Sequence, residues 1–302
     1  MTGPASRTRP RGAEHPTETG LQTTVMSVEV CIVAYGDEVS LEGCVRSLQC
    51  LRKGVRIAIH DNTPEPLSLK GVRAVASALS LPLRVERCDS NCGFARGCNS
   101  LARGSGADLL LLLNPDAEVM EWPPALAAAT TGIVGPVVID ERGRVAITSG
   151  RRRSILEEFL LRWARLRPRI PVGRGYVSGA ALLIPRKVFR ELGGFDEAFF
   201  MYYEDIDLCL RAGAAGTPVR VEPTWRVRHV GGHAAKADRA TALIRSYESA
   251  AYFFAKHGEN VKLYRLLCRL DADLKLALYQ LLPSMRDRVP AVRRLREYLA
   301  NR

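Results

Sequence analysis

Short apolar runs alternate with amphipathic segments along the first half of the chain, and this rhythm limits the possible folds more than any other feature. Four runs have the length and apolar content of buried strands: 28–34, 55–59, 83–86 and 107–113. Three segments between them have apolar residues at helical spacing: 39–51, 68–79 and 94–103. Strands that alternate with helices build a mostly parallel sheet with helices on both faces. We therefore predict an α/β fold whose ligands bind at the carboxyl ends of the strands.

The second half of the chain has a less regular pattern. Strands are predicted at 133–139, 144–148, 179–185, 219–221 and 226–230, and a helix is predicted at 204–214. From residue 238 the pattern is helical, with breaks at His257-Gly258 and at Pro283. We predict three regions: a disordered tail over 1–27, a domain over 28–237 and a helical region over 238–302. The tail is rich in Pro, Thr, Gly and Arg and lacks the apolar core of a secretory signal.

The chain is strongly basic. Its 302 residues include 44 Lys and Arg against 32 Asp and Glu, which gives a net charge of +12. Such an excess predicts a polyanionic partner: an anionic lipid surface, a phosphorylated substrate or nucleic acid. The sequence has no zinc-finger spacing, RNA-recognition aromatic motif or helix-turn-helix signature, so we expect no nucleic acid and keep a nucleic-acid-binding protein as the alternative. The best apolar run, 109–113, is too short to cross a bilayer.

Eight cysteines are scattered along the chain, and none forms a CxxC pair. We interpret them as reduced thiols in a reducing cytosol, most of them small buried residues. The alternative is a zinc site formed by Cys88, Cys92 and Cys98, whose spacing matches no common zinc motif.

Two polar segments follow predicted strands. Asp116, in Asn114-Pro115-Asp116, could hold Mg²⁺ or Mn²⁺ against a diphosphate, although the tripeptide is also good turn chemistry. The segment 91–99 carries glycines at a predicted helix start, where a backbone can approach an anionic ligand closely. Its alternative role is to start that helix.

Two further candidates lie late in the chain. Glu204, Asp205 and Asp207 begin a predicted helix directly after the aromatic run 199–203. The helix dipole alone favours acids there, but carboxylates beside apolar surface can also act as general bases. His229 follows a predicted strand and could complete a metal site begun by Asp116, or could be structural.

Taken in order, these segments resemble a known family. The set comprises Val33-Ala34-Tyr35, Asp61-Asn62, Asn91-x-Gly93-Phe94-Ala95-x-Gly97-x-Asn99, Asn114-Pro115-Asp116, 179–185, 193–197, Glu204-Asp205-x-Asp207 and His229. It resembles the family-two inverting glycosyltransferases, in particular their rhamnosyltransferase-like branch, over roughly 28–235.

The resemblance implies a GT-A fold that binds a nucleotide-diphosphate sugar and a divalent cation, Mg²⁺ or Mn²⁺. It implies that Asp205 is the catalytic base and that Asp116 and His229 bind the metal. Nucleotide-sugar contacts are implied for these residues: Val33, Ala34, Tyr35, Asp61, Asn91, Gly93, Phe94, Asn99 and Asn114. Asn114 stands where the family often has a second aspartate, which leaves fewer carboxylates for the ion. Glu204 and Asp207 would orient the acceptor or the helix.

The basic segment 151–169 alternates arginines with apolar residues at helical spacing. This pattern suits a helix lying on an anionic membrane or a contact with a lipid-diphosphate acceptor, for which Arg152, Arg153 and Trp163 are candidates. It equally suits a helix whose apolar side packs on the domain.

The resemblance implies a donor of dTDP-L-rhamnose and an acceptor that is a polyprenyl-diphosphate-linked sugar or a cell-envelope glycan. UDP-galactofuranose and UDP-N-acetylglucosamine are the alternative donors. We expect a cytoplasmic protein, peripheral on the cytosolic face of the plasma membrane, that takes part in cell-wall polysaccharide biosynthesis. The oligomeric state is left open.

Overall fold

The computed structural model describes residues 26–51, 54–146, 149–152, 154–163, 175–229 and 238–301, with the backbone alone for 161–163. Its strands are β1 (Val28–Ala34), β2 (Val55–Asp61), β3 (Leu83–Arg87), β4 (Leu109–Leu113), β5 (Ala117–Glu121), β6 (Ile133–Ile139), β7 (Ser149–Gly150), β8 (Tyr176–Val177), β9 (Ala181–Pro185) and β10 (Val219–His229). Its α-helices are α1 (Glu38–Ser47), α2 (Lys70–Ala78), α3 (Phe94–Arg103), α4 (Ile155–Trp163), α5 (Arg186–Glu191), α6 (Glu204–Ala214), α7 (Arg239–Lys256), α8 (Val261–Leu281) and α9 (Val289–Ala300). Short 3₁₀ helices lie at Leu48–Cys50 and Pro283–Arg288.

Eight strands form one sheet in the order β3-β2-β1-β4-β9-β6-β10-β5, and β7 pairs with β8 separately. The block β3-β2-β1-β4 is parallel, as the alternation of strands and helices predicted. β9 runs antiparallel to both of its neighbours, and β5 runs antiparallel to β10. The predicted α/β fold with a largely parallel sheet is therefore confirmed.

Apolar side chains cover both faces of the sheet. In β1, Val30 and Ile32 face the helices α1 and α2, whereas Cys31 and Val33 face α3 and α6. All seven β1 residues are buried, as expected for a strand covered on both sides.

The C-terminal helices share an apolar core with α4. Ile155 and Phe159 of α4 are buried against residues of α7 and α8, including Phe253 and Tyr264. Leu156 and Leu160 on the same helix are exposed. The basic segment therefore packs one side of its described helix on the protein, which was one of its two predicted roles. Arg153 and 164–169 lie outside the described residues, as does 1–25 of the predicted tail.

Within the described parts of the chain, the helices do not combine the length and the hydropathy that crossing a membrane requires.

Candidate active site

A cleft of about 390 Å³ lies at the edge of the sheet where β4 and β10 end and β9 begins. Polar residues from five separate segments line it: Asn114, Ser178, Glu204, Asp205, His229 and Ser246. Phe94, Tyr202 and Tyr203 supply its aromatic wall. The topology thus places polar side chains from distant parts of the chain at one strand-end edge, where ligands of α/β sheets bind.

Asp116 and His229 are neighbours because of strand register. His229 ends β10 opposite Ala117, the first residue of β5, so the preceding Asp116 lies beside the imidazole. Asp116 Oδ1 is 3.1 Å from His229 Nε2, and Asn114 Nδ2 is 3.4 Å from that same nitrogen. Two ligand atoms at right angles around an octahedral ion, with bonds of about 2.1 Å, lie about 3.0 Å apart. The Asp116–His229 pair therefore fits one edge of a divalent-cation site.

Asp205 lies in the first turn of α6 and lines the cleft. The backbone N–H of Gly179 donates to Asp205 Oδ2 (2.7 Å), and the N–H of Ile206 donates to Oδ1 (2.8 Å). A Cβ atom at position 179 would lie only 2.7 Å from that Oδ2. Gly179 is therefore required for the close approach, a role the sequence analysis did not assign.

Glu204 and Asp205 form a pair of adjacent acids with unequal surroundings. Glu204 is buried, and its Oε2 has no hydrogen-bond partner among the described residues. Burial and the neighbouring Asp205 charge raise the pKa of Glu204 well above its usual range. Burial also raises the pKa of Asp205, but its backbone hydrogen bonds oppose the shift. Asp205 alone receives backbone donors from outside its own residue, and these hydrogen bonds favour its ionised form over that of Glu204.

A strained turn precedes these acids. Tyr202 and Tyr203 have φ angles of +70° and +69°, a left-handed conformation that costs non-glycine residues on the order of 1–3 kcal/mol. Tyr202 is partly exposed, and burial together with the charges of Glu204 and Asp116 raises the pKa of its hydroxyl. Tyr202 therefore lines the cleft near both Glu204 and Asp116, whereas its sequence context showed only an aromatic run.

The glycine-containing segment is attached to this turn. The N–H of Phe94 donates to the carbonyl of Phe200 (2.7 Å). Gly93 has a φ of +87°, and a Cβ there would lie 2.5 Å from the same carbonyl oxygen. The glycine pattern thus reflects a tight backbone contact between two segments that border the cleft.

The residues predicted to contact the nucleotide differ in their exposure and in their hydrogen bonds. Tyr35 is exposed at the end of β1, whereas Val33 and Ala34 are buried within it. Asp61 is buried and accepts from the N–H groups of Thr63 (2.9 Å) and Leu67 (3.0 Å).

Two asparagines in the glycine-containing segment hold local structure. The side chain of Asn91 accepts from the N–H of Gly93 (3.0 Å). Asn99 accepts from the N–H of Phe195 (2.9 Å) and donates to the carbonyl of Phe195 (2.8 Å), which fixes the chain beside α3.

Two of the predicted acceptor residues contact the C-terminal helical region. Asp207 is fully buried and contacts Arg211 Nε (2.8 Å), Lys256 Nζ (2.8 Å) and His257 Nε2 (3.2 Å). Arg152 Nη2 donates to the carbonyl of His257 (2.8 Å) and pairs with Glu259 (3.1 Å). Arg153 lies outside the described residues, and only the backbone of Trp163 is described.

The architecture is the GT-A fold of glycosyltransferases. Solved structures with this fold include GalNAc-T7 with UDP, GalNAc and Mn²⁺ (TM-score 0.51, 17% identity, covering 68% of this chain and 43% of that chain). Another is S. aureus TarS (TM-score 0.51, 13% identity, covering 74% of this chain and 40% of that chain). No protein-family model matches the sequence.

Within that fold, the sequence is similar to rhamnosyltransferases. It is 33% identical over 174 residues to an N-acetylglucosaminyl-diphospho-decaprenol L-rhamnosyltransferase of Mycobacterium tuberculosis, which covers 49% of this chain and 55% of the relative. It is 38% identical over 58 residues to the rhamnosyltransferase WbbL of Escherichia coli, covering 19% of this chain and 22% of WbbL. The chain thus spans about half the length of the first of these relatives. The predicted resemblance to rhamnosyltransferase-like glycosyltransferases is confirmed.

Proposed function

We propose that the protein is an inverting glycosyltransferase that moves L-rhamnose from dTDP-L-rhamnose onto a hydroxyl of a polyprenyl-diphosphate-linked sugar or a cell-envelope glycan. One observation carries the proposal: the Asp205 carboxylate, held by two backbone N–H groups, lines the same cleft as His229 of the Asp116–His229 pair. A base and a site for diphosphate charge at one cleft are what a single-displacement sugar transfer needs.

In the proposed reaction, Asp205 accepts the proton of the acceptor hydroxyl as its oxygen attacks the anomeric carbon. The bond between that carbon and the diphosphate oxygen breaks on the opposite face, and the nucleoside diphosphate departs with the electron pair. One displacement inverts the anomeric centre without a sugar–enzyme intermediate. A single carboxylate base is sufficient, in contrast to the two carboxyl groups of retaining hydrolases.

Asp116 and His229 would hold a divalent cation, Mg²⁺ or Mn²⁺. Their oxygen and imidazole ligands suit such ions, and their 3.1 Å separation matches one coordination edge. When bound, the ion would stabilise negative charge on the departing diphosphate.

The proposed sugar and acceptor are supported by the similarity to the M. tuberculosis N-acetylglucosaminyl-diphospho-decaprenol L-rhamnosyltransferase, whereas the dTDP carrier is proposed from the family resemblance. A hexosyltransferase, Agl10 of Haloferax volcanii, is also similar, at 29% identity over 137 residues. UDP-galactofuranose and UDP-N-acetylglucosamine therefore remain the alternative donors to test.

We also propose that the protein is cytoplasmic and binds the anionic cytosolic face of the membrane. A stripe of exposed leucines runs along α8: Leu266, Leu270, Leu274, Leu278 and Leu281. Leu156 and Leu160 of α4 add exposed apolar surface, and the net charge of +12 favours anionic lipids. Sedimentation with anionic and with neutral vesicles tests this proposal, and equal binding to both would contradict it.

The function is tested by thermal unfolding with a panel of nucleotide sugars, each with and without Mn²⁺ or Mg²⁺. A ligand at a hundredfold its Kd adds roughly 2.7 kcal/mol to the stability of the folded state. We expect selective stabilisation by dTDP-L-rhamnose and, in turnover with that donor, a product of inverted anomeric configuration by NMR. Salt-sensitive DNA binding without any nucleotide-sugar effect would instead favour the nucleic-acid-binding alternative.

A further inference from the structure

A second cluster of metal-ligating side chains lies apart from the Asp116–His229 pair. His60 on β2 and Cys88 and Cys92 in the loop between β3 and α3 each offer one ligand atom, and these atoms all lie within 4.8 Å of one another. The alternative that the sequence offered was zinc bound by Cys88, Cys92 and Cys98. The structure instead places Cys98 within the buried side of α3, and His60 takes the third position.

The spacing of these atoms fits one tetrahedral ion. Cys92 Sγ is 3.4 Å from His60 Nε2. Around tetrahedral Zn²⁺, with Zn–S bonds of about 2.3 Å and Zn–N bonds of about 2.05 Å, the sulfur and nitrogen atoms lie about 3.6 Å apart. A single ion can therefore bridge the two side chains with only a small movement. Thiolate and imidazole ligands in this geometry select zinc over Mg²⁺ or Mn²⁺.

The surroundings of the His60 imidazole also favour a bound metal ion. His60 is only 3% exposed, and its Nδ1 has no hydrogen-bond partner among the described residues. The nearest carboxylate oxygen, Glu86 Oε2, is 4.0 Å from Nδ1 and accepts from Ser100 Oγ (2.9 Å). A histidine that binds a metal through one ring nitrogen commonly directs its other N–H towards a carboxylate. With Nε2 on a metal, the Nδ1–H of His60 would face Glu86.

A polar group is also available for the fourth position. Asn62 Oδ1 lies 3.2 Å from Cys92 Sγ and 3.4 Å from the backbone nitrogen of Cys92. Either this oxygen or a water molecule could complete a tetrahedron. Asn62 also donates to the carbonyl of Gly93 (3.0 Å), the residue that contacts Phe200 at the border of the cleft.

We propose that Cys88 Sγ, Cys92 Sγ and His60 Nε2 bind one Zn²⁺ ion, which fixes the loop 88–93 against the end of β2. Binding converts both thiols to thiolates and releases their two protons to solvent. The role is structural: the ion holds the loop that leads into α3 and hence the cleft border at Gly93. This proposal does not depend on the proposed sugar transfer.

The experiment uses the full chain purified under reducing conditions, with zinc counted by mass spectrometry after loading and desalting. We expect one zinc per chain, and after replacement by Co²⁺ we expect thiolate-to-cobalt charge-transfer absorption with intense visible bands of tetrahedral cobalt. Cys88→Ser and Cys92→Ser should each lower zinc affinity at least tenfold and abolish or weaken that absorption.

Two controls separate this site from other metal binding. Cys50→Ser removes a half-buried thiol elsewhere, and Asp116→Asn removes the carboxylate of the other candidate site. Both should keep one zinc per chain and the cobalt spectrum. The proposal is overturned by absence of the charge-transfer absorption, by zinc that persists in the Cys88/Cys92 double serine variant, or by zinc that disappears with Asp116→Asn. A Cys88–Cys92 disulfide in the reduced preparation, detected as a mass loss of two hydrogens, would also overturn it.

Discussion

The two faces of α6 use the same residue type in opposite ways. Asp205, on the cleft face, accepts hydrogen bonds from the backbone N–H groups of Gly179 and Ile206 and lines the cleft. Asp207, two residues later, is fully buried among Arg211, Lys256 and His257. The contrast shows that the partners of each carboxylate in an acidic cluster decide its role. A carboxylate surrounded by cations stabilises the fold. A carboxylate fixed by backbone donors remains available to accept a proton.

Among the substitutions that test this comparison, replacing Asp205 should have the largest effect on the reaction rate. Asp205→Asn removes the proposed base but keeps the size of the side chain, so kcat should fall roughly 10²–10⁴-fold. The melting temperature should fall by only a few degrees, because the amide oxygen still accepts one of the two backbone N–H bonds and only the other is lost. Rates with a nucleotide sugar and acceptor, beside a melting curve, test both parts, and an active Asp205→Asn enzyme would refute its role.

Moving Asp205 without removing it should cost somewhat less. In Gly179→Ala, the new Cβ meets Asp205 Oδ2 and must displace the carboxylate. A misplacement of about 1 Å can lower a rate on the order of 10²-fold. Gly213→Ala, at a position with open space around it, is the matched control and should keep full activity. Similar rates for both variants would mean that the Gly179 contact does not position the base.

Replacing Asp207, on the opposite face of α6, should lower the stability of the fold more than the rate of catalysis. Asp207→Asn leaves the cations of Arg211 and Lys256 without their buried partner, and we expect a loss of about 3 kcal/mol in the free energy of unfolding. Denaturant unfolding measures this change. If Asp207→Asn instead kept its stability and lost activity at saturating substrate, Asp207 would belong with the cleft face.

The smallest expected change in stability comes from replacing Glu204, and it distinguishes this acid from its neighbour Asp205. An acid whose pKa is raised by folding destabilises the folded state above its unfolded pKa, and the effect disappears as the pH falls to that value. Glu204→Gln should therefore stabilise the protein at pH 7, and this gain should disappear near pH 4. Melting curves across this pH range test the sign.

The pH dependence of the rate separates the two acids. Because the pKa of Asp205 is raised, kcat/KM should fall with decreasing pH at a higher pH than an ordinary aspartate would cause. Glu204→Gln should leave this acid limb in place, since a protonated Glu204 is already neutral. An acid limb that moves to lower pH in the variant would show that Glu204 is ionised.

The spacing of apolar residues predicted those helices and strands whose pattern lies within one continuous segment of the chain. The helix α3 has the bounds predicted, and the helical breaks near His257 and Pro283 are present. β5 was missed because only alternate residues of its five face the core, which leaves too short an apolar signal. β10 was predicted as two strands because a register irregularity between Glu222 and Arg226 interrupts its pattern.

The candidate site depended on contacts that no local pattern contains. The meeting of Asp116 with His229 requires β10 to lie beside β5, and the contact of Gly179 with Asp205 requires β9 to begin next to α6. Family resemblance supplied these residues without their geometry. Likewise, the split of the acidic cluster became visible only when α7 was seen to bring Lys256 against Asp207.

The reversed strand β9 has a consequence for how this protein tolerates change. Because β9 runs antiparallel to its neighbours, it begins at the edge of the sheet where the parallel strands end. The backbone N–H of Gly179, just before β9, is therefore placed to donate a hydrogen bond to the Asp205 carboxylate at that edge. Gly179 lies in a turn just before β9, so one extra residue between Gly179 and the strand would move that amide away from the carboxylate. Such an insertion would release Asp205 without displacing Asp116 or His229, so the proposed sugar transfer should be lost while the proposed nucleotide binding is kept.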